Sequence, residues 1–294
     1  NGGAGSDGSF LALDQEALED ALSEIMSQIT TRSSQFLAPV VPLNTAYGSY
    51  ADNAIYFGLF RTMNDGEWRG NVKKYGFAQI EEILPDGSTN KRVELYQKDG
   101  STPALDPAQE GHVLATARSV WTNAADADGN QTDRGGVGEW MLNDAKLASP
   151  TRVFYTHNLN ASGGHDPDSS LSLFSSSNPN LAGATGAANL NVTDAADCMD
   201  YIRAQGIYKP GTSGTGRTWL MGDILHSRPA LLRYGNYNLL FVGANDGFLH
   251  CIVDNQNDDN SELAELSNDT VSVPWSFVPW ELVGTLHEIR DDSN

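Results

Sequence analysis

The apolar positions of this chain change their period once, near Pro39. Before that point, Phe10-Leu11-Ala12-Leu13 reads as a short strand, and Asp14 is a good helix cap. Leu18, Leu22, Ile25 and Ile29 follow at spacings of four, three and four, with acids on the opposite face. That spacing predicts an amphipathic helix of about five turns ending near Arg32. From Pro39 onward the helical period fades. Short apolar and aromatic runs alternate with turn dipeptides at Asp65-Gly66, Asp86-Gly87, Asp99-Gly100 and Asp128-Gly129, each expected to be a hairpin or tight loop. Ala54–Phe60 and Val93–Tyr96 are predicted strands. Punctuation of this regularity predicts antiparallel β architecture.

Residues 160–195 are rich in Ser, Asn, Gly and Ala and poor in large apolar side chains, which predicts a loop or a linker covering another surface. A short helix is expected from Ala195 to Ala204. Strand-like segments then come at Leu231–Tyr234, Asn238–Val242, Phe248–Val253 and Trp275–Val278, with Asn245-Asp246-Gly247 the best hairpin turn in the chain. Four β segments in this order are the pattern of one β-propeller blade. The expected fold class is mainly β and antiparallel, with one N-terminal amphipathic helix and a partial propeller-like blade at the C-terminus.

Composition narrows the function classes. Lys and Arg total 18 against 38 for Asp and Glu, a formal net charge of −20. Nucleic acid is disfavoured as a partner, because phosphate binding needs clustered Lys and Arg, and an anionic membrane surface would repel the chain. No apolar run has the length of a membrane span. Acidic excess suits a secreted protein and supplies oxygens for hard cations such as calcium. The opening Asn1-Gly2-Gly3-Ala4-Gly5 is expected to be an interior or processed start. Cys198 and Cys251 leave two readings open, one disulfide or two buried thiols.

Several motifs, taken in order, carry a family resemblance. Gly222-Asp223-Ile224-Leu225-His226-Ser227-Arg228-Pro229, Val242-Gly243-Ala244-Asn245-Asp246-Gly247-Phe248-Leu249-His250 and Trp275-Ser276-Phe277-Val278-Pro279 resemble the opening propeller blade of PilC/PilY-type type IV pilus tip adhesins. Upstream, Trp68-Arg69-Gly70-Asn71-Val72-Lys73-Lys74-Tyr75 is similar to a Trp-x-Gly-Asn-Leu-Lys-Lys-Tyr element of that family. Trp121, Gly135–Glu139 and Arg152–Thr156 continue the match. The N-terminal helix looks like the last helix of a von Willebrand factor A-like domain, whose Asp-x-Ser-x-Ser metal site is absent here. The resemblance implies four units: 1–36, the end of that domain; 37–159, an antiparallel β region; 160–216, a linker with a short helix; and 217–294, the first blade.

Candidate chemistry is sparse. Asp126, Asp128, Asn130 and Asp133 offer alternate oxygens around a glycine turn, an arrangement open to calcium or to a plain solvated hairpin. Asp254, Asp258 and Glu262 form a second acidic candidate, with an exposed insertion as the alternative. His226 follows Asp223 by three residues and His250 lies between Leu249 and Cys251, but no nucleophile is tied to either by spacing. Hydrogen bonding between strands is the expected use of such groups. Arg69, Lys73 and Lys74 are the one notable basic cluster, expected on an amphipathic strand.

The function expected from the resemblance is a non-enzymatic adhesin or pilus-assembly protein at the cell surface or pilus tip, with calcium as a modulator. Its partners would be minor pilins or other pilus components, copies of itself, or a host or abiotic surface. The alternative is a self-assembling extracellular filament subunit. An eight-bladed quinoprotein enzyme fits poorly, since only one blade pattern is present.

Overall fold

A computed structural model describes residues 36–40, 43–44, 49–50, 53–62, 68–83, 85–108, 113–123, 127–159, 164, 170–204, 217–234, 237–256 and 263–291. The strand at Phe10–Leu13 and the helix expected within residues 14–32 lie outside the described residues.

The chain is mainly β, built on two principal sheets. The first is four-stranded and antiparallel, in the order β1 (Phe36–Val40), β4 (Ala54–Arg61), β5 (Arg69–Ile83), β6 (Thr89–Tyr96). A small separate ribbon pairs β2 (Leu43–Asn44) with β3 (Ser49–Tyr50). The second sheet has six strands. β9 (Ala230–Tyr234), β10 (Tyr237–Gly243), β11 (Leu249–Asn255) and β12 (Thr270–Val278) form an antiparallel meander in which successive strands are neighbours. β7 (Val153–Thr156) extends the meander by pairing in parallel with β12, and β8 (Ser172–Leu173) pairs with β7. This is a parallel pair in an otherwise antiparallel sheet. Residues 153 and 275 are far apart in sequence, so no short turn dictates their direction.

Three cores hold these layers. Between the sheets, Tyr56, Val72, Leu240, Val242, Ile252 and Val273 pack with Val137 and Met141 of a helix, Gly136–Ala145. On the other face of the first sheet, Ile55, Phe57, Leu59 and Tyr75 meet Ala104, Val113 and Ala117. β4 is therefore covered on both sides, which explains why Ala54–Leu59 reads as an unbroken apolar run and not an alternating one. The third core lies around the β10–β11 turn, where Phe248 meets Phe154 and Phe174 edge to face at 5.4 and 5.9 Å.

Residues 170–204 contribute to that third core. Phe174, Leu181, Leu190, Met199 and Ile202 are buried in it. Small residues between them let helices Gly183–Asn189 and Ala195–Arg203 approach closely. The second helix is the one expected at Ala195. Its cap is Asp194, whose side chain accepts from the Asp197 N–H at 3.0 Å, and it ends at Ala204 in the left-handed region.

The described Asp-Gly pairs all place glycine at positive φ, as their composition predicts. Their uses differ. Gly87 and Gly247 lie in the connections between β5 and β6 and between β10 and β11, whereas Asp128-Gly129 is an internal anchor under β5.

Cys198 and Cys251 are two buried thiols not joined to each other, the second of the two readings left open by the sequence. Cys198 lies in the third core. Cys251 stands on β11 between Phe241 and Trp275 in the strand register, and burial pushes its thiol pKa up.

Candidate functional site

The six-stranded sheet has two unlike faces. On the inner face Leu240, Val242, His250, Ile252, Val273 and Ser276 are buried. The alternate positions form the outer face. Strand register places Phe241, Cys251, Trp275 and Val153 in one row, Leu232, Leu239 and Val253 in a second, and Leu249, Phe277, Tyr155 and Leu173 in a third. Tyr234 and Tyr237 face each other at the outer corner. None of these side chains is charged. Leu232 is 54% exposed, Tyr234 74%, Tyr237 45% and Leu173 45%, so the surface is accessible at its rim. Five strands about 4.8 Å apart, with about five residues each, give a plan area of about 400 Å². That is the size of the largest apolar patch on an ordinary monomer surface, a patch that is often functional. Pro274 sits on β12 where the register slips by one residue, which is where a central strand tolerates proline.

Among the aromatics of this region, Phe241, Trp275 and Phe277 belong to this outer face. Trp219 and Phe248 are buried, and Trp280 packs partly against the third core.

At one end of the sheet, a pocket of about 310 Å³ opens between the loop Asp223–Ser227, the β10–β11 turn and Pro279. All three motifs of the C-terminal resemblance meet there. Asp223 accepts from the Asn245 amide at 2.8 and 3.0 Å, and the Gly243 N–H donates to Ser227 Oγ at 3.2 Å. Under the pocket, Asp246 accepts from the Gly222 and Phe248 N–H groups and lies 3.0 Å from His250 Nε2. His250 Nδ1 lies 2.8 Å from Ser276 Oγ. Ser276, His250 and Asp246 thus stand in hydrolase-triad order, yet Ser276 and His250 are 0% and 1% exposed and face the core. Here the chain of hydrogen bonds ties the turn to β11 and β12. His226 lines the pocket itself.

Burial alone would raise the Asp246 carboxyl. The facing His250 and the donated hydrogen bonds outweigh it and hold the group below the ordinary aspartate value. A depressed folded-state value contributes stability that is fully present above the unfolded pKa, about 3.9. That contribution is lost as pH falls below it, through the folded value. Asp246→Asn is therefore expected to flatten the fall in melting temperature measured between about pH 4 and pH 2.

The other predicted site residues lie beneath β5. Side chains alternate across that strand, so Asn71, Lys73 and Tyr75 face one way and Lys74 the other. Asn71 donates to the carbonyls of Thr132 and Gly135 at 2.8 and 3.0 Å, and its Oδ1 accepts from the Gly138 N–H. Lys73 donates to the Asp128 and Gly129 carbonyls at 2.9 and 3.0 Å and lies 3.0 Å from Asp128 Oδ2. Tyr75 donates to the Gly129 carbonyl at 2.8 Å. Burial lowers the Lys73 pKa against the pull of Asp128, and burial with the Asp128 charge raises that of Tyr75 well above its ordinary value.

Two of the carboxylates expected to face calcium, Asp128 and Asp133, are thus engaged by other groups of the chain. Asp128 takes Lys73 and Ser119, and Asp133 takes Arg61 and Arg69 at 2.9 and 3.4 Å. Asn130 is half-buried on the same turn, and Asp126 lies outside the described residues. On the opposite side of β5, Asp254 is buried and pairs with Lys74 at 2.6 Å; Asp258 and Glu262 lie outside the described residues. Among the described residues, no three or more His, Cys, Asp or Glu side chains gather as a metal site. The basic cluster expected at Arg69, Lys73 and Lys74 is no surface patch, since both lysines are fully buried on opposite faces.

Sequence reasoning missed Asp269, Tyr56 and Asn238, which join Asp254 and Lys74. Their only local signal was placement inside or beside predicted strands. Set against family models, curated proteins and solved structures, the chain matches none of them.

Proposed function

We propose that this chain is a non-enzymatic contact module of an extracellular surface protein of the PilC/PilY pilus-tip type, with the β9–β12 meander acting as a propeller-type blade. The observation that carries this reading is the uncharged outer sheet face in a chain of net charge −20. Charge depletion with exposed Leu and Tyr is the composition of an interface core. Among the described residues β9 is an edge strand of its sheet, at the corner where Tyr234 and Tyr237 stand. The meeting of the three resembling motifs at one pocket supports the same reading, as does the burial of the Ser276–His250 pair away from solvent.

Binding to sheared type IV pili and to immobilised minor pilins tests it, with Leu232→Lys/Tyr234→Lys as the variant. Both positions are exposed, so folding is preserved while binding is expected to weaken at least about tenfold. Equal binding by variant and wild type, or none by either, removes the assignment. The exposed edge also favours a second reading, assembly of copies into a filament. Light scattering and electron microscopy decide it, and the same variant is expected to be monomeric.

Calcium belongs to this reading as a brace of the 126–133 loop. Asp128→Ala is a poor test, because it strips the counter-ion from Lys73. Asn130→Ala is the better variant. Calorimetric heat present in wild type and lost in Asn130→Ala retains calcium, and no heat at millimolar calcium removes it.

A further inference from the structure

Lys74, Asp254 and Asp269 form a sealed trio between the two sheets. Lys74 Nζ lies 2.6 Å from Asp254 Oδ2 and 2.5 Å from Asp269 Oδ2, and the side chains of all three are 0% exposed. Aromatic groups enclose the Asp254 carboxyl and aim donors at it. The Tyr56 hydroxyl donates to Oδ2 at 2.6 Å and the Trp121 indole N–H to Oδ1 at 3.2 Å. The two rings stack at 5.6 Å, and the Asn238 amide donates to the Tyr56 hydroxyl at 2.8 Å, fixing its direction.

This arrangement contains every group needed for condensation of an amine with an acid. The nucleophile touches the electrophile, two donors point at the carbonyl oxygens where negative charge develops, and a second carboxylate touches the same nitrogen as a proton relay. Water is excluded, which opposes hydrolysis of the product. A neutral amide also replaces the buried Lys74–Asp254 ion pair, whose desolvation is costly, and Asp269, left without a cation, ends protonated. We propose that Lys74 and Asp254 are joined by an intramolecular isopeptide bond, with Asp269 relaying the proton. The Nζ–Cγ bond forms and one Cγ–O bond breaks. Two of the three ammonium protons leave on the departing oxygen as water, one of them by way of Asp269, and the third remains on the amide nitrogen. No oxidant or co-reactant is required.

Lys73 provides an internal contrast. Among the described residues it meets one carboxylate, Asp128, whose Oδ2 also accepts from Ser119 at 2.6 Å, and no second carboxylate within ion-pair distance of its nitrogen. No crosslink is assigned there. The Lys74–Asp254 bond would instead pin β5 to β11, 180 residues apart in sequence, so that the two sheets could not be pulled apart. This inference stands independently of the pilus-tip reading.

Intact-mass spectrometry of the denatured full chain tests it. The expected mass is that of the sequence less one water, and the proteolytic map is expected to contain the Lys74 peptide joined to the Asp254 peptide. Lys74→Arg and Asp269→Asn are each expected to return the full mass. The wild-type measurement decides the question even if neither variant folds. A folded wild-type chain at full mass overturns the proposal. So does a missing water that maps to succinimide at an Asp-Gly pair, or to a Lys74–Asp269 link.

Discussion

Gly70→Ala is expected to destabilise the chain by about 3 kcal/mol or more, because overpacking and lost hydrogen bonds act together. A Cβ at position 70 would stand 1.9 Å from the Gly222 carbonyl oxygen, a backbone atom with no rotamer to escape into. The same contact carries the Gly70 N–H to the Met221 carbonyl at 2.9 Å and the Trp219 indole N–H to the Gly70 carbonyl at 2.7 Å. Gly222 is in turn pressed on the Asp246 backbone, where a Cβ would meet the amide nitrogen at 2.4 Å. Sheet, loop and turn are thus stacked backbone on backbone, and both resembling motifs need their glycine for that reason. Gly87→Ala is the control. Nothing lies within 4 Å of its Cβ position, and its φ of +80° leaves only the left-handed penalty, about 1 kcal/mol. Urea unfolding followed by tryptophan fluorescence separates the two.

Lys74→Met is expected to cost at least about 3–5 kcal/mol, the range for removing one partner of a buried ion pair. Methionine fills much of the space but leaves Asp254 and Asp269 together, fully buried and without their cation. The triple variant Lys74→Met/Asp254→Asn/Asp269→Asn is expected to recover part of the loss, since no uncompensated charge remains. Equal midpoints for Lys74→Met and wild type in urea would show that the trio contributes nothing to stability. Because Lys74 lies on β5 and Asp254 on β11, the loss should appear as separation of the two sheets. In hydrogen exchange, amides on both strands are expected to lose protection together.

Much of the local structure was legible from residues alone. The unbroken run Ala54–Phe60 became β4, the segment expected from Ala195 to Ala204 became a helix, and Asn245-Asp246-Gly247 became the turn of the β10–β11 hairpin. Each depends on neighbours within a few positions: φ at a glycine, a capping carboxylate, an alternation of period two. Helix Gly136–Ala145 was not legible, because two glycines near its start argue against a helix. It forms where Trp219 packs on Gly138 and Asn71 receives the Gly138 N–H.

The adjacent lysines mark the boundary most clearly. The sequence by itself determined that Lys73 and Lys74 lie on a strand and so project to opposite sides, which follows from the pleat. It could not tell that both sides are interior. That depends on Asp128, Asp254 and Asp269, which lie 55, 180 and 195 residues away and are delivered by sheet packing. Acidic residues read as calcium ligands are accordingly found holding lysine and arginine. The outer face divides in the same way. Alternation along β10 and β12 determined which residues share a face, whereas only the stacking of the two sheets decided which face was buried and which was left to solvent. A strand's period is a property of its own backbone, but its partners are chosen by contacts that close only when the whole chain has folded.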